Sequence, residues 1–145
     1  MKPFQYYVEM EMVRQGSKDR NTAKNILARA TKRLGFIRSQ EINQDTAPFI
    51  FEDAYEVMRE CVHALMITEG YKPFSHEANV AYLNDEQKEH FEEKFVRAFD
   101  RYRIIRNDIT YRANSTSMEE TTKALEIAGK FVQLTQNIFD NNLKY

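Results

Sequence analysis

The chain has 145 residues, 42% of them hydrophobic, which suffices for one core and predicts a single domain over residues 1–145. Few Gly (4) and Pro (3) residues argue against an all-β chain and against disorder, and a formal charge of −1 excludes general attraction to nucleic acid, so an anion site must be local. One cysteine excludes an intrachain disulfide, and no stretch approaches the roughly 18 apolar residues of a membrane span, so we expect a cytoplasmic protein with no cofactor, no metal and no membrane association.

The first 17 residues are predicted to be a short N-terminal extension. Val8, Met10 and Met12 alternate with glutamates, which is a strand pattern. A lone strand needs a partner, and no other strand is predicted in this chain. We therefore expect a short helix here.

Two helices are predicted in the first half of the chain. The first covers residues 18–40, because six apolar residues recur at three- and four-residue steps: Ala23, Ile26, Leu27, Ala30, Leu34 and Ile37. A loop over 40–47 follows. Pro48 suits the first turn of a second helix, which is predicted to run to about Glu69 and to stop at Gly70.

The second half is predicted to hold two more helices after a connection over 71–83, which has one helical turn after Ser75. Asn84 or Asp85 is expected to cap the third helix, with Gln87 completing a capping box, and the helix is expected to end near Tyr111. Ser117 and Glu120 form a second capping box, opening a fourth helix to about residue 140.

Each of these four helices has an apolar face that must be buried against the others. The sequence therefore predicts an all-α fold, an up-down antiparallel four-helix bundle with short additional helices.

The most unusual segment is the positive stretch at 97–112. It contains five arginines: Arg97, Arg101, Arg103, Arg106 and Arg112. The simplest interpretation is a solvated helix face with local ion pairs, because Asp100 with Arg103, and Asp108 with Arg112, have the required spacing.

A more specific interpretation is a phosphate pocket. Arg103 and Arg106 lie one turn apart, Arg106 shares a face with Thr110, and Asn107 shares one with Tyr111. Guanidinium groups bind phosphate in a two-pronged way that lysine cannot copy. Arg106 and Tyr111 are about 140° apart around an ideal helix. They converge only if the helix bends or ends there, or if a second subunit supplies the other copy.

The three histidines do not by themselves predict a metal site or a catalytic site. Glu60 and His63 have the Glu-x-x-His spacing of a di-iron bundle, but such a site needs two pairs and two further glutamates, so we expect His63 to be structural and no metal to be bound. His76 is expected in the connecting loop and His90 on a solvated helix face.

The segment Arg106-Asn107-Asp108-Ile109-Thr110-Tyr111 resembles the motif of the HEPN family. Members of that family carry an Arg, a polar residue that is often Asn, and then a His, late in their third long helix. The second helix and its continuation into Ser75-His76-Glu77 also resemble the family. The likeness is greatest to archaeal-type stand-alone members, whose motif ends in Tyr and reads Arg-Asn-x-x-x-Tyr.

The resemblance implies a homodimer with its cleft at the subunit interface. Many HEPN proteins are metal-independent ribonucleases that leave cyclic phosphate ends, and many are toxins paired with a small nucleotidyltransferase antitoxin. Others bind nucleotides or serve as scaffolds. The resemblance assigns catalytic positions to Arg106, Asn107 and Tyr111. We expect RNA or nucleotide binding by Arg103, Arg106, Thr110 and Arg112.

The final motif position decides between binding and cleavage. A phenol, with a pKa of about 10, is a poorer base at neutral pH than a histidine. We therefore expect nucleotide or RNA binding above efficient cleavage. The alternative is a non-catalytic interaction module that docks a partner such as a small nucleotidyltransferase.

Overall fold

A computed structural model describes residues 2–142, and its described part is mostly helical, as predicted. The elements are α1 (Phe4–Glu9), β1 (Val13–Gln15), α2 (Arg20–Arg38), α3 (Ala47–Thr68), β2 (Tyr71–Pro73), α4 (His76–Glu86), α5 (Glu93–Arg112) and α6 (Met118–Asn142). No helix among the described residues is long and apolar enough to cross a membrane.

Helices α2, α3 and α6 form close to the predicted positions, and their ends have clear causes. The Asp19 side chain accepts the Thr22 N–H at 3.0 Å and caps α2. Helix α3 stops before Gly70, whose φ of +87° is a left-handed conformation that favours glycine. One half of the predicted capping box of α6 is present, since Ser117 Oγ accepts the Glu120 N–H at 3.0 Å, whereas the Glu120 carboxylate pairs with Arg101.

The core is organised around α3, which packs against α2, α5 and α6. An aromatic group joins α3 to α5: the Tyr55 and Phe99 rings are stacked with centroids 5.4 Å apart, and Phe51 meets Tyr102 edge-on at 5.2 Å. This packing fixes α5 relative to α3. The same packing therefore also sets where the polar side chains of α3 and α5 lie relative to one another.

The N-terminal segment differs in part from the prediction. The expected short helix is present as α1, but a strand with a partner follows it. Strand β1 pairs antiparallel with β2, in a register that sets Val13 opposite Pro73 and Gln15 opposite Tyr71. A strand was not expected here because no partner strand was predicted. The partner β2 was missed because its three residues are too short to show alternation.

The prediction for residues 71–92 was correct for a helical turn after Ser75, which caps α4, and wrong for the rest. The expected connection holds β2 and an 11-residue helix, α4, of which His76 is the first residue. Asn84 and Asp85 lie in the last turn of α4 and do not cap α5, which begins at Glu93. Asp85 Oδ2 instead accepts the N–H of Phe4 at 2.6 Å, at the start of α1.

The predictions for Gln87 and His90 were also wrong. Gln87 takes no part in a capping box; its buried amide donates to the Tyr82 hydroxyl at 2.9 Å. His90 lies in the exposed turn between α4 and α5 and not on a helix. Buried Phe91 lies in the same turn, so its side chain belongs to the core without belonging to α5.

Candidate functional site

Arg106 meets a histidine and a tyrosine from two other helices. Its Nη2 lies 3.2 Å from Nε2 of His76, at the start of α4. The Tyr55 hydroxyl, from α3, lies 3.1 Å from Nδ1 of the same ring. The Arg106 guanidinium also lies over the Tyr55 ring, 4.9 Å from its centroid. The three side chains therefore form a closed group where α3, α4 and α5 meet.

The hydrogen bonds fix the tautomer of His76. A guanidinium only donates, so Nε2 must accept from Arg106 and carry a lone pair. The proton of the neutral ring is then on Nδ1, which donates to the Tyr55 oxygen. The one basic nitrogen of the group thus faces the arginine.

Two more arginines flank this group. Arg103, one turn before Arg106 on α5, has ion-pair distances of 3.4 Å to both Glu77 and Asp100. Arg59, on α3, is held by Glu56, with Nε 2.9 Å from Oε2. Arg106 has no ion pair within the described residues. We call Tyr55, Arg59, His76, Arg103 and Arg106 the Arg106–His76 cluster.

Buried hydrogen-bond donors remain in this cluster. The Nε atoms of Arg103 and Arg106 are both buried and have no hydrogen-bond partner within the described part of the chain. A buried donor without a partner is costly, and most such groups in proteins are satisfied. An anion with several oxygens supplies the kind of acceptor that these groups lack.

Burial, together with the positive charge of the cluster, determines how His76 and Tyr55 titrate. Burial lowers the pKa of His76, the charges of Arg106, Arg103 and Arg59 lower it further, and Glu77 opposes them. Burial raises the pKa of Tyr55 to about 12, although the nearby arginines act in the opposite direction. At neutral pH, His76 is therefore an uncharged base and Tyr55 an uncharged phenol.

The structure brings Arg103 and Arg106 of the predicted site together and leaves the others apart. Asn107 is half-buried, and Thr110 is exposed. Tyr111 is 73% exposed and has no hydrogen bond or ring contact to any described residue. Arg112 is exposed and pairs with Asp108 at 3.5 Å, as the simpler interpretation predicted. Helix α5 runs unbroken past Tyr111, so one chain alone does not bring Tyr111 to Arg106.

Three residues of the cluster were not among the predicted site residues. Tyr55 and Arg59 lie on the core helix, and His76 was expected in a loop without a role. The contact between His76 and Arg106 spans 30 positions, so no local pattern reports it. The only signal was the Ser75-His76-Glu77 segment, which was noted for its resemblance and not for its chemistry.

Glu60 and Cys61, the other chemically reactive residues of the second predicted helix, are buried in the core. Glu60 is buried and accepts from Arg33 Nε at 2.8 Å, which joins α3 to α2. Burial raises the pKa of the Cys61 thiol to about 12. Among the described residues, no three His, Cys, Asp or Glu side chains are arranged to hold a metal ion.

Comparison of the chain with models of protein families, with curated proteins and with solved structures gives no match. Function must therefore be inferred from the site itself.

Proposed function

We propose that this chain is a HEPN-like protein that binds the phosphate of an RNA or nucleotide at the Arg106–His76 cluster. The observation that carries the proposal is the 3.2 Å contact between Arg106 Nη2 and His76 Nε2. A guanidinium held by a neutral nitrogen keeps its full charge, whereas one held by a carboxylate is neutralised. Arg106 is therefore available to an anion in a way that Arg112 is not.

On phosphate binding, the Arg106 guanidinium would exchange one acceptor, His76 Nε2, for another, a phosphate oxygen. A phosphodiester oxygen accepts a charge-assisted hydrogen bond from Arg106, which is stronger than the bond to a neutral imidazole. Arg103, one turn before Arg106 on α5, places a second positive charge near the same group. The ligand releases His76 Nε2, which then faces the bound anion.

Cleavage is a second candidate function, because the released His76 Nε2 is a base of the kind that Tyr111 cannot be. In that reaction, Nε2 takes the proton of the ribose 2′-hydroxyl and the 2′-oxygen forms a bond to phosphorus. The bond from phosphorus to the 5′-oxygen breaks, that oxygen takes a proton from water, and the hydroxide that remains takes the proton back from His76 Nε2. Arg106 stabilises the charge that develops on the phosphate oxygens. The products are a 2′,3′-cyclic phosphate and a 5′-hydroxyl.

The proposal extends to the assembly. We propose that the four long helices α2, α3, α5 and α6 form an up-down bundle of the HEPN type, in a single domain, and that two copies associate through α5. Tyr111 lies on the exposed side of α5, where a second copy would bring it to the cleft. A small nucleotidyltransferase is the proposed protein partner.

The test is to replace Arg106 with alanine and measure RNA binding. We expect Arg106→Ala to weaken binding of a fluorescent single-stranded RNA by about tenfold or more, since charge-assisted hydrogen bonds contribute about 1.5–3 kcal/mol. Fluorescence anisotropy measures the affinity, and gel analysis of the same RNA measures cleavage. Circular dichroism checks that the variant is folded.

The matched control is Arg97→Ala, which removes an equal charge from the same helix. Arg97 is exposed and paired with Glu93, so we expect its loss to change binding less than twofold. Equal weakening by both variants would reduce the effect to net charge. A folded Arg106→Ala chain with unchanged RNA binding would overturn the proposal and leave the alternative, an interaction module that docks a partner.

A further inference from the structure

We infer that the cleft beside His76 is a subsite for a nucleobase, so that the ligand is an unpaired nucleotide or single-stranded RNA. This inference rests on the proposed phosphate site and deepens it. The cleft has a volume of about 170 Å³ and is lined by Arg59, Pro73, Phe74, Ser75, His76 and Asn79. This volume lies below the range of about 300–1,000 Å³ that drug-sized ligands need, which suits a single nucleobase.

A buried amide marks the inner wall of this cleft. Asn79, on the first turns of α4, is only 5% exposed, and its Oδ1 is buried without a hydrogen-bond partner within the described part of the chain. Buried polar groups are normally satisfied, so a ligand group is the expected partner. The edge of a nucleobase offers an N–H beside an acceptor, and an asparagine amide pairs with that arrangement.

An exposed aromatic ring forms the outer wall. Phe74 is 66% exposed and directly follows β2 in the chain. Its backbone N–H donates to the Met12 carbonyl at 3.0 Å, and the Arg14 guanidinium lies 5.4 Å from the ring centroid. The ring is thus supported by the N-terminal segment while it lines the cleft. Aromatic side chains held in this way are typical stacking platforms for unpaired bases.

His76 joins the two halves of the site. It lines the cleft and also contacts Arg106, so a base in the cleft and a phosphate on Arg106 would be neighbours, as in one nucleotide. A base paired within a duplex cannot enter, because both its edge and its face are already occupied.

The experiment compares adenosine 5′-monophosphate with ribose 5-phosphate by isothermal titration calorimetry on the full chain. We expect the nucleotide to bind about tenfold more tightly, because stacking and edge contacts add to the shared phosphate contact. Phe74→Ala should remove this preference and leave the affinity for ribose 5-phosphate unchanged. Phe36→Ala is the matched control, since Phe36 is equally exposed at 62% but lies on α2, away from the cleft.

The outcomes separate the two proposals. Equal affinity of the wild-type chain for both compounds, or a preference that survives Phe74→Ala, would overturn the base subsite and leave the phosphate site standing. Binding of neither compound would overturn the phosphate site, and the subsite with it. Asn79→Asp provides an independent check: a folded variant that keeps the full preference for the nucleotide would contradict the role of the amide.

Discussion

His76 is a residue of the candidate site that the sequence did not predict. The segment at the end of α5 that resembles the HEPN motif has a tyrosine where members of that family carry a histidine, so the sequence alone predicted binding above efficient cleavage. In the structure, His76, the first residue of α4, contacts Arg106. Arg106 was predicted from its motif and its spacing. Its partner was not, because a contact across 30 positions depends on how helices pack.

His76 predicts a specific dependence of stability on pH. Burial and the neighbouring arginines lower its pKa in the folded chain below the usual value of about 6.5. Below that pH the unfolded chain binds a proton that the folded chain does not, so stability falls on acidification until the lower, folded-state pKa is passed. Above pH about 6.5 both states are neutral and the contribution is constant.

We therefore expect His76→Gln to lose less free energy of unfolding than the wild type when the pH falls from about 7.5 to about 5, as measured by urea denaturation. Glutamine retains an acceptor for Arg106 but has no proton to gain. His90→Gln is the control, because it removes a histidine from an exposed turn outside the cluster. A His76→Gln slope as steep as that of the wild type would contradict the prediction.

At the scale of elements, the clearest predictions came from helices with one apolar face. The buried residues of α2 fall on the stripe that its sequence spacing predicted. Helix α4 was missed for the opposite reason. Its residues from Ala78 to Leu83 are all buried, so the segment has no polar side to reveal a period. A helix enclosed on every side cannot be recognised by amphipathicity.

The junction between α3 and β2 depends on one glycine. Gly70 has a φ of +87°, and a Cβ built there would clash with the carbonyl oxygen of Gly16. The two backbones are joined by the Gly16 N–H, which donates to the Gly70 carbonyl at 2.8 Å. The turn therefore fixes the N-terminal segment to the end of α3. Prediction of Gly70 as a stop was correct, but this contact was not foreseen.

We expect Gly70→Ala to destabilise the fold by at least about 2 kcal/mol, because the left-handed backbone and the clash both act against a side chain. Gly16→Ala is the matched control on the other side of the same contact. A Cβ on Gly16 would meet nothing within 4 Å, so its effect should be small. Chemical denaturation of the two variants measures the difference, and equal stabilities would show that the close approach is unimportant.

For the whole molecule, the site lies at an edge where three helices meet, and the family resemblance implies that a second copy completes it. Helix α5 supports this arrangement. Ile104 is 53% exposed and Tyr111 is 73% exposed, and residues seven apart lie nearly above one another on a helix. Two large apolar or aromatic side chains on one exposed face suit contact with a second copy. Composition gave no indication of this face, because it depends on which side of α5 the core covers.

The last prediction concerns this face. We expect light scattering to give a mass near twice 17.2 kDa for the wild-type chain, because an isologous contact of α5 with its copy would bury Ile104 and Tyr111 from both subunits. Ile104→Asp places a charge in that contact and should shift the mass toward 17.2 kDa without unfolding the exposed helix. Phe49→Asp is the matched control, since Phe49 is 67% exposed but lies at the start of α3. If RNA binding falls only in the variant that becomes monomeric, RNA binding needs both copies of the chain. If the wild-type chain is a monomer at high concentration, the Arg106–His76 cluster must bind its ligand with the residues of one chain.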